Sequence, residues 1–522
     1  MLYHYFIKDQ DMRKKQHCTP LLKNGLLLLL ATTFITSCSK SDQQAEIVTS
    51  GSSAIDSTYT SGTAEGSKET GYDADDLVEN SSFSNTVTIT FGTTLSISNP
   101  LAASGVIITE SGDDVVITST AKAVEYVLAG TTSNGSVKIY SDNKFKVTLN
   151  GASITNSDGP ALNIQSSKRA FIVVADNTTN TLTDGSSYTA SGSEDMKGTI
   201  FSEGQMIFSG TGSLSVKGNY KHAICSDDYI RIRSGNITIT GSASDGIHTN
   251  DGFIADGGTL AITAGSDGIE AEEGFIIIND GTFTLNTADD GIAASYDEDD
   301  STITPYVTIN GGTITVKSTA GEGIESKSVL TINGGRIQTT TADDGLNAGT
   351  AIYINGGYVY SYSTGNDAMD SNGIFTITGG AVVAIGAKSP EAGIDCDART
   401  LKITGGTVVA IGGATSGPSS TQSTIHSVIM GSGSANQVIH IQATDGIEAL
   451  TFLAPVAYST LLFASSKLEA NTSYVVYTGG SVASGTSFNG LYTSGTYSNG
   501  TISSTFTTSS MVTQIGGTIS KG

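Results

Sequence analysis

The 522-residue chain has no tryptophan, 7 prolines, 4 cysteines and 6 histidines. So few cysteines exclude a disulfide framework, and the scarcity of His and Cys ligands disfavours zinc. Basic residues are also sparse: 26 Lys and Arg stand against 50 Asp and Glu, a net charge of −24. Such a chain repels nucleic acid and anionic lipid and attracts cations, so nucleic acid is excluded as a partner. No long segment repeats at the 3.6-residue period of a helix. What is abundant is Gly, at 63 residues. Ser, Thr, Ile and Val fill much of the rest, so strand formers alternate with turn formers. Apolar residues reach 38% and recur in order, which argues against disorder.

The N-terminal 37 residues read as an export signal. Arg13, Lys14 and Lys15 form a basic region, Leu21 to Phe34 supply an apolar stretch, and Ile35-Thr36-Ser37-Cys38 resembles a lipobox. In that reading Cys38 carries lipid, and the mature chain is anchored to an outer membrane or cell surface of a Gram-negative bacterium. The alternative, a transmembrane helix, needs a longer apolar run. Those 37 residues hold five basic and two acidic side chains, so their removal takes the net charge to −27. Residues 38–82 are polar, lack hydrophobic period, and are expected to form a flexible tether.

Two phrases then alternate. The first includes Ser244-Asp245-Gly246-Ile247-His248, Ser266-Asp267-Gly268-Ile269-Glu270 and Asp289-Asp290-Gly291-Ile292-Ala293. It continues through Gly321-Glu322-Gly323-Ile324-Glu325, Asp343-Asp344-Gly345-Leu346-Asn347 and Asn366-Asp367-Ala368-Met369-Asp370. The second is Ile309-Asn310-Gly311-Gly312, with copies at Ile332, Ile354, Ile377 and Ile403. Most steps are 22 or 23 residues; the step from Gly291 to Gly323 is 32 and holds an acidic insertion after Tyr296. That period predicts an all-β solenoid, a right-handed parallel β-helix over 83–413, with Asp-Gly and Asn-Gly-Gly corners accepting φ > 0. Ile314 and Val316 should face in, and Thr313, Thr315 and Lys317 out. Residues 414–522 lose the phrases and are expected to form a β-rich cap. Cys225 and Cys396 fall about seven turns apart, on the order of 34 Å, too far for a disulfide.

Alignment of the turns stacks Asp245, Asp267, Asp290, Glu322, Asp344 and Asp367 in one column. At about 4.8 Å and an effective dielectric near 20, neighbouring charges repel by about 3.5 kcal/mol. The acids must therefore fan into water or share cations. Flanking Glu270, Glu272, Asp289, Glu325, Asp343 and Asp370 favour cations, and several Ca²⁺ ions suit a turn-rich edge of hard oxygens better than Mg²⁺.

The phrases Tyr126-Val127-Leu128-Ala129-Gly130-Thr131, Val147-Thr148-Leu149-Asn150-Gly151-Ala152, Asn180-Thr181-Leu182-Thr183-Asp184 and Gly210-Thr211-Gly212-Ser213-Leu214, with the Asp-Gly-Ile repeats, carry a resemblance. The chain resembles secreted bacterial carbohydrate-binding proteins with a polysaccharide-lyase-like right-handed β-helix. The resemblance implies calcium on the helix and affinity for acidic or plant-type polysaccharide, without established cleavage.

Tyr358, Tyr360 and Tyr362 alternate on one strand and share a face, with Arg336 and Lys317 expected beside Tyr358 and Tyr362. Exposed aromatic faces suit stacking on sugar rings, and cations suit uronates. The alternative is that the tyrosines lie under a loop or the C-terminal segment. A calcium-dependent lyase would also need a basic residue near the α-proton. Lys221, Arg231, Arg233, Lys317, Lys327, Arg336, Lys388 and Arg399 are the candidates, none in a basic cluster. The reading is a monomeric, calcium-stabilised polysaccharide binder, with a lyase and a non-enzymatic adhesin or scaffold as alternatives.

Overall fold

Along Thr313–Ser318 every second side chain is buried, Ile314 and Val316 inward and Thr313 and Lys317 in water. The same alternation holds on its neighbours Thr282–Thr287 and Arg336–Thr341. Such strands can bury one face only by stacking on copies of themselves. They do so in parallel: Ile269, Ile292, Ile324, Leu346 and Met369 sit in register through successive pairings. The computed structural model describes residues 49–296 and 302–520. The export signal, Cys38 and the acidic insertion at 297–300 lie outside the described residues.

Each turn contributes a strand to three stacks. The first is a 13-stranded sheet running from Val106–Ser111 to Asp395–Cys396. The second and third share the long strands Val124–Thr132 and Phe145–Thr155 at their start, and end at Leu401–Ile403 and Thr407–Gly412. Their inward Ile, Leu, Val and Phe form one continuous core. The chain is a parallel β-helix. Cys225 and Cys396 are buried and free.

The two corners use glycine for different reasons. Between the second and third stacks, Gly312 and Gly335 have φ of 86° and 89°, and a Cβ on Gly335 would lie 2.8 Å from the Gly312 carbonyl. The Asp-Gly corner, expected to need φ > 0, does not: Gly268 and Gly291 are absent from the left-handed region. There glycine answers close approach, since a Cβ on Gly291 would sit 2.3 Å from Val316.

After Gly413 the chain builds an antiparallel sheet, seven-stranded once Ser53–Ile55 joins Leu491–Ser498. This sheet packs on the outside of the third stack's last turns, over Val383, Ile385, Val409 and Ile411. Thr460–Ser465 pairs antiparallel with Thr407–Gly412 and closes the open edge.

Described residues of the expected tether do not form one. Residues 49–82 are tied down the length of the β-helix. The Asn side chains of the Asn-Gly-Gly corners form a ladder, with Asn355, Asn333 and Asn310 Nδ2 each donating to the next Oδ1 at 2.8 Å. The same Nδ2 groups donate to the carbonyls of Glu65, Ser67 and Glu69. Farther down, Arg231 donates to Gly71 O, and Arg169 and Arg231 hold the buried Asp76. Arg233 pairs with Glu79 at 2.7 and 2.8 Å. Polar satisfaction, not apolar burial, fixes this strap, so it leaves no hydrophobic period to read.

Candidate metal edge and ligand cleft

The Asp-Gly-Ile corners bring the acidic column to the edge of the first stack. These acids do not fan into water: Asp245, Asp267, Asp290, Asp344 and Asp367 are buried. Each finds a partner in the next turn. The carboxylates of Asp245, Asp267, Asp290 and Asp344 accept the backbone N–H of Asp267, Asp290, Glu322 and Asp367 at 2.7–3.2 Å. Asp367 accepts from Ala392 N–H in the same way. This ladder satisfies one oxygen of each carboxylate and leaves the repulsion between them.

Titration follows from the burial. Desolvation first, then neighbouring carboxylates, push Asp267 and Asp344 up to about 8 and Asp370 up to about 6. Asp367 rises to about 7 by burial, against the N–H bond from Ala392. Asp290 is also raised, by burial and by sharing a hydrogen bond with Glu322. Burial raises Glu325 too, although Lys327 pairs with it. Asp245 is the exception: against burial, His222 and His248 hold its carboxyl low.

The edge gathers oxygens into sets whose atoms lie within 4.8 Å of one another. These are Asp245, Asp267 and Glu270; Asp267, Asp289 and Asp290; Asp290, Glu322 and Glu325; and Asp367, Asp370 and Asp395. Such separations suit donors that share a Ca²⁺ at 2.3–2.6 Å, and the carboxylate donors match a hard cation. Three expected ligands stand apart from these sets. Asp343 accepts from Asn366, Asp344 accepts from Asn347, and Glu272 faces His248 Nε2 at 3.3 Å. Asn347 explains the gap, because it occupies the register position held by Glu325 and Asp370 in adjacent turns. Sequence reasoning counted Asp395 among the acids flanking the column but not among the ligands, and it left out His222 and His248. Asp395 is in register with Asp370, so the strand alignment was the signal.

The tyrosine row is partly covered. Phe488, in the C-terminal sheet, packs edge-on against Tyr358 and Tyr360 at 5.3 and 6.5 Å. The Arg336 guanidinium lies over the Phe488 ring, 4.8 Å from its centroid. Tyr360 and Tyr362 pack against the apolar cluster beneath the sheet. Arg336 does neighbour Tyr358, but Lys317 is two turns from Tyr362, with Thr340 between. The five expected ligand residues therefore do not make one open platform. The sequence signal for the cover was lost alternation: Ala381–Ile385 and Val408–Ile411 are apolar without a break, as strands buried on both faces are.

Tyr358 remains 42% exposed and enters a different arrangement. It lines a hollow with Tyr59 of the strap and Tyr492 of the C-terminal sheet. Asp56, Glu448 and Lys467 line that hollow and also an adjoining cleft of ≈ 460 Å³. Lys467 Nζ is 2.7 Å from Glu448. Three chain segments far apart in sequence thus supply three aromatic side chains and a set of charged hydrogen-bonding groups.

Of the candidate bases, Arg231 pairs with Asp76 and Asp256, Arg233 with Glu79 and Lys327 with Glu325.

Residues 111–368 match the model of a family described as carbohydrate-binding domain-containing protein. A carbohydrate-binding domain-containing protein of Acetivibrio thermocellus is 30% identical over 118 residues, 22% of this chain and 41% of the relative. The match thus spans less than half of that relative's length. A solved structure described as the polysaccharide lyase-like protein from C. thermocellum, a gadolinium derivative, is similar at 22% identity and a TM-score of 0.39. That likeness covers 56% of this chain and 96% of the other. The resemblance read from the repeat phrases is met by this match, which covers residues 111–368, just under half of the chain.

Proposed function

We propose that this protein binds polysaccharide in the cleft beside Tyr358, on a β-helix whose acidic edge is neutralised by calcium, and that lipid on Cys38 holds it at a bacterial envelope. The observation that carries the binding role is the convergence of Tyr59, Tyr358 and Tyr492 on one hollow with Asp56, Glu448 and Lys467. Aromatic faces stack on the apolar faces of sugar rings, while carboxylates and an ammonium take their hydroxyls. The family match over the β-helix supports the same ligand class.

Calcium would be held by Asp290, Glu322 and Glu325 and by Asp367, Asp370 and Asp395, where it neutralises carboxylates crowded within 4.8 Å of one another. Its role there is structural, as a clamp between turns. Pairing of Arg231, Arg233 and Lys327 with acids removes three candidate bases and favours binding over β-elimination.

A glycan array probed with the protein tests this reading. Binding to at least one polysaccharide class that Tyr358→Ala weakens is expected, and arrays without any hit would leave an adhesin or scaffold. Cys38→Ala is expected to shift the protein from membrane to soluble fractions; unchanged fractionation would remove the anchor.

A further inference from the structure

The start of the acidic edge is unlike the rest of it. Its residues include two imidazoles, His222 at the start of His222–Ser226 and His248 in Ile247–Thr249 of the next turn. The rings stack at 4.2 Å with an interplanar angle of 17°. Between them stands Asp245, whose Oδ2 is 2.9 Å from His222 Nδ1 and 3.1 Å from His248 Nδ1. Glu270 Oε2 also reaches His248 Nδ1, at 2.9 Å. Donor atoms of His222, Asp245 and His248 lie within 4.8 Å of one another, and all three side chains are buried.

A second observation is independent of this clustering. His222 is only 1% exposed, yet neither of its ring nitrogens makes an aligned hydrogen bond. Its Nδ1 approaches Asp245 by distance alone. A buried imidazole nitrogen without an aligned hydrogen bond is costly, and a cation that accepts its lone pair removes the cost.

We propose that His222, Asp245, His248 and Glu270 form a binding site for a borderline divalent transition metal of the zinc class, distinct from the calcium sites farther along the edge. Two imidazole nitrogens and two carboxylate oxygens are a donor set for Zn²⁺, Co²⁺, Ni²⁺ or Cu²⁺, whereas Ca²⁺ takes oxygen. Edges of a tetrahedron drawn at zinc's ligand distances are about 3.3 Å, close to the 2.9–3.1 Å contacts around Asp245, and one ring must turn out of the stack for both lone pairs to reach the same ion. Asp245 and Glu270 then serve this site, and calcium keeps the sets at Asp290 and Asp367. Scarcity of His in the sequence argued against zinc, but two of the six histidines meet on one carboxylate. The metal would clasp two successive turns where the regular Asp-Gly-Ile repeat begins.

The test uses the full mature protein, stripped with chelator and titrated with Co²⁺ or Zn²⁺ in a large excess of Ca²⁺. One equivalent of Co²⁺ is expected to bind and to give the visible absorption of a low-coordinate nitrogen and oxygen shell. X-ray absorption of the Zn²⁺-loaded wild type should show two imidazoles, a readout that needs no variant to fold. His222→Gln and His248→Gln should each weaken Zn²⁺ by more than about tenfold, since losing even an outer-shell partner costs that much. Asp367→Asn should leave Zn²⁺ affinity unchanged while weakening Ca²⁺, which separates this site from the calcium reading. An oxygen-only shell, displacement of Zn²⁺ by Ca²⁺, unchanged affinity in both histidine variants, or no binding would each overturn the proposal.

Discussion

The carboxylate of Asp267 accepts the backbone N–H of Asp290, its counterpart one turn later, at 2.7 Å. A column that looks like pure repulsion in sequence is therefore also a hydrogen-bonded ladder. The N–H fixes each acid in place and buries it, and burial makes its charge expensive. The ladder thus creates the demand that a cation or a proton must meet.

Without metal, protons meet it, and stability should depend on pH with an unusual sign. Asp267 and Asp344 titrate near 8 and Asp367 near 7 in the fold. The same groups titrate near 3.9 in an unfolded chain. Between those values the folded state binds more protons than the unfolded state, so stability falls as pH rises. In chelator, Tm is expected to drop from about pH 5 to about pH 8. Calcium should restore it, most at the alkaline end. A chelator-insensitive Tm across that range would contradict the calcium reading.

Asp367→Asn isolates one site. Asn keeps an oxygen to accept the Ala392 N–H but removes a charge from the set with Asp370 and Asp395. Calcium affinity at that set should fall by about tenfold or more, about 1.4 kcal/mol, by calorimetry. Metal-free Tm near pH 8 should hold or rise, because a buried charge is gone.

Tyr358→Ala addresses the cleft. Aromatic contact is worth about 1 kcal/mol beyond burial, so affinity for a bound polysaccharide should fall about fivefold or more. Tm should barely change, since Tyr358 is half exposed. Equal affinity would move the ligand site elsewhere.

Asp76→Ala tests the strap. Its buried carboxylate is 2.9 Å from Arg169 Nε and 3.3 Å from Arg231 Nη1. Arg169 keeps Asp73 and Arg231 keeps Asp256, so the loss of these charged hydrogen bonds should cost about 1–3 kcal/mol. A lower Tm and faster proteolysis within residues 60–80 are expected. An unaffected cleavage rate would show that the asparagine ladder alone holds the segment.

Incubation with uronate-containing polysaccharide and calcium should give no absorbance from unsaturated products. A rising signal would reinstate the lyase.

Much of this was legible in residue order. A period of 22 or 23, with Ile314 and Val316 alternating against Thr313 and Lys317, allows few ways to bury an apolar face other than by stacking turns. Register follows from that stacking, and register alone aligns Asp245 through Asp367. The sequence by itself therefore determined the β-helix and its acidic edge, because both are consequences of a local repeat. Only the tertiary structure decided which acids share a set, that His222 and His248 meet on Asp245, and that Phe488 covers Tyr360 while Tyr59 and Tyr492 join Tyr358. It also decided that residues 49–82 are a strap. These contacts join segments separated by up to hundreds of residues and are made by hydrogen bonds, ion pairs and ring edges. Such interactions impose no periodicity on the chain, so nothing in the order of residues announces them.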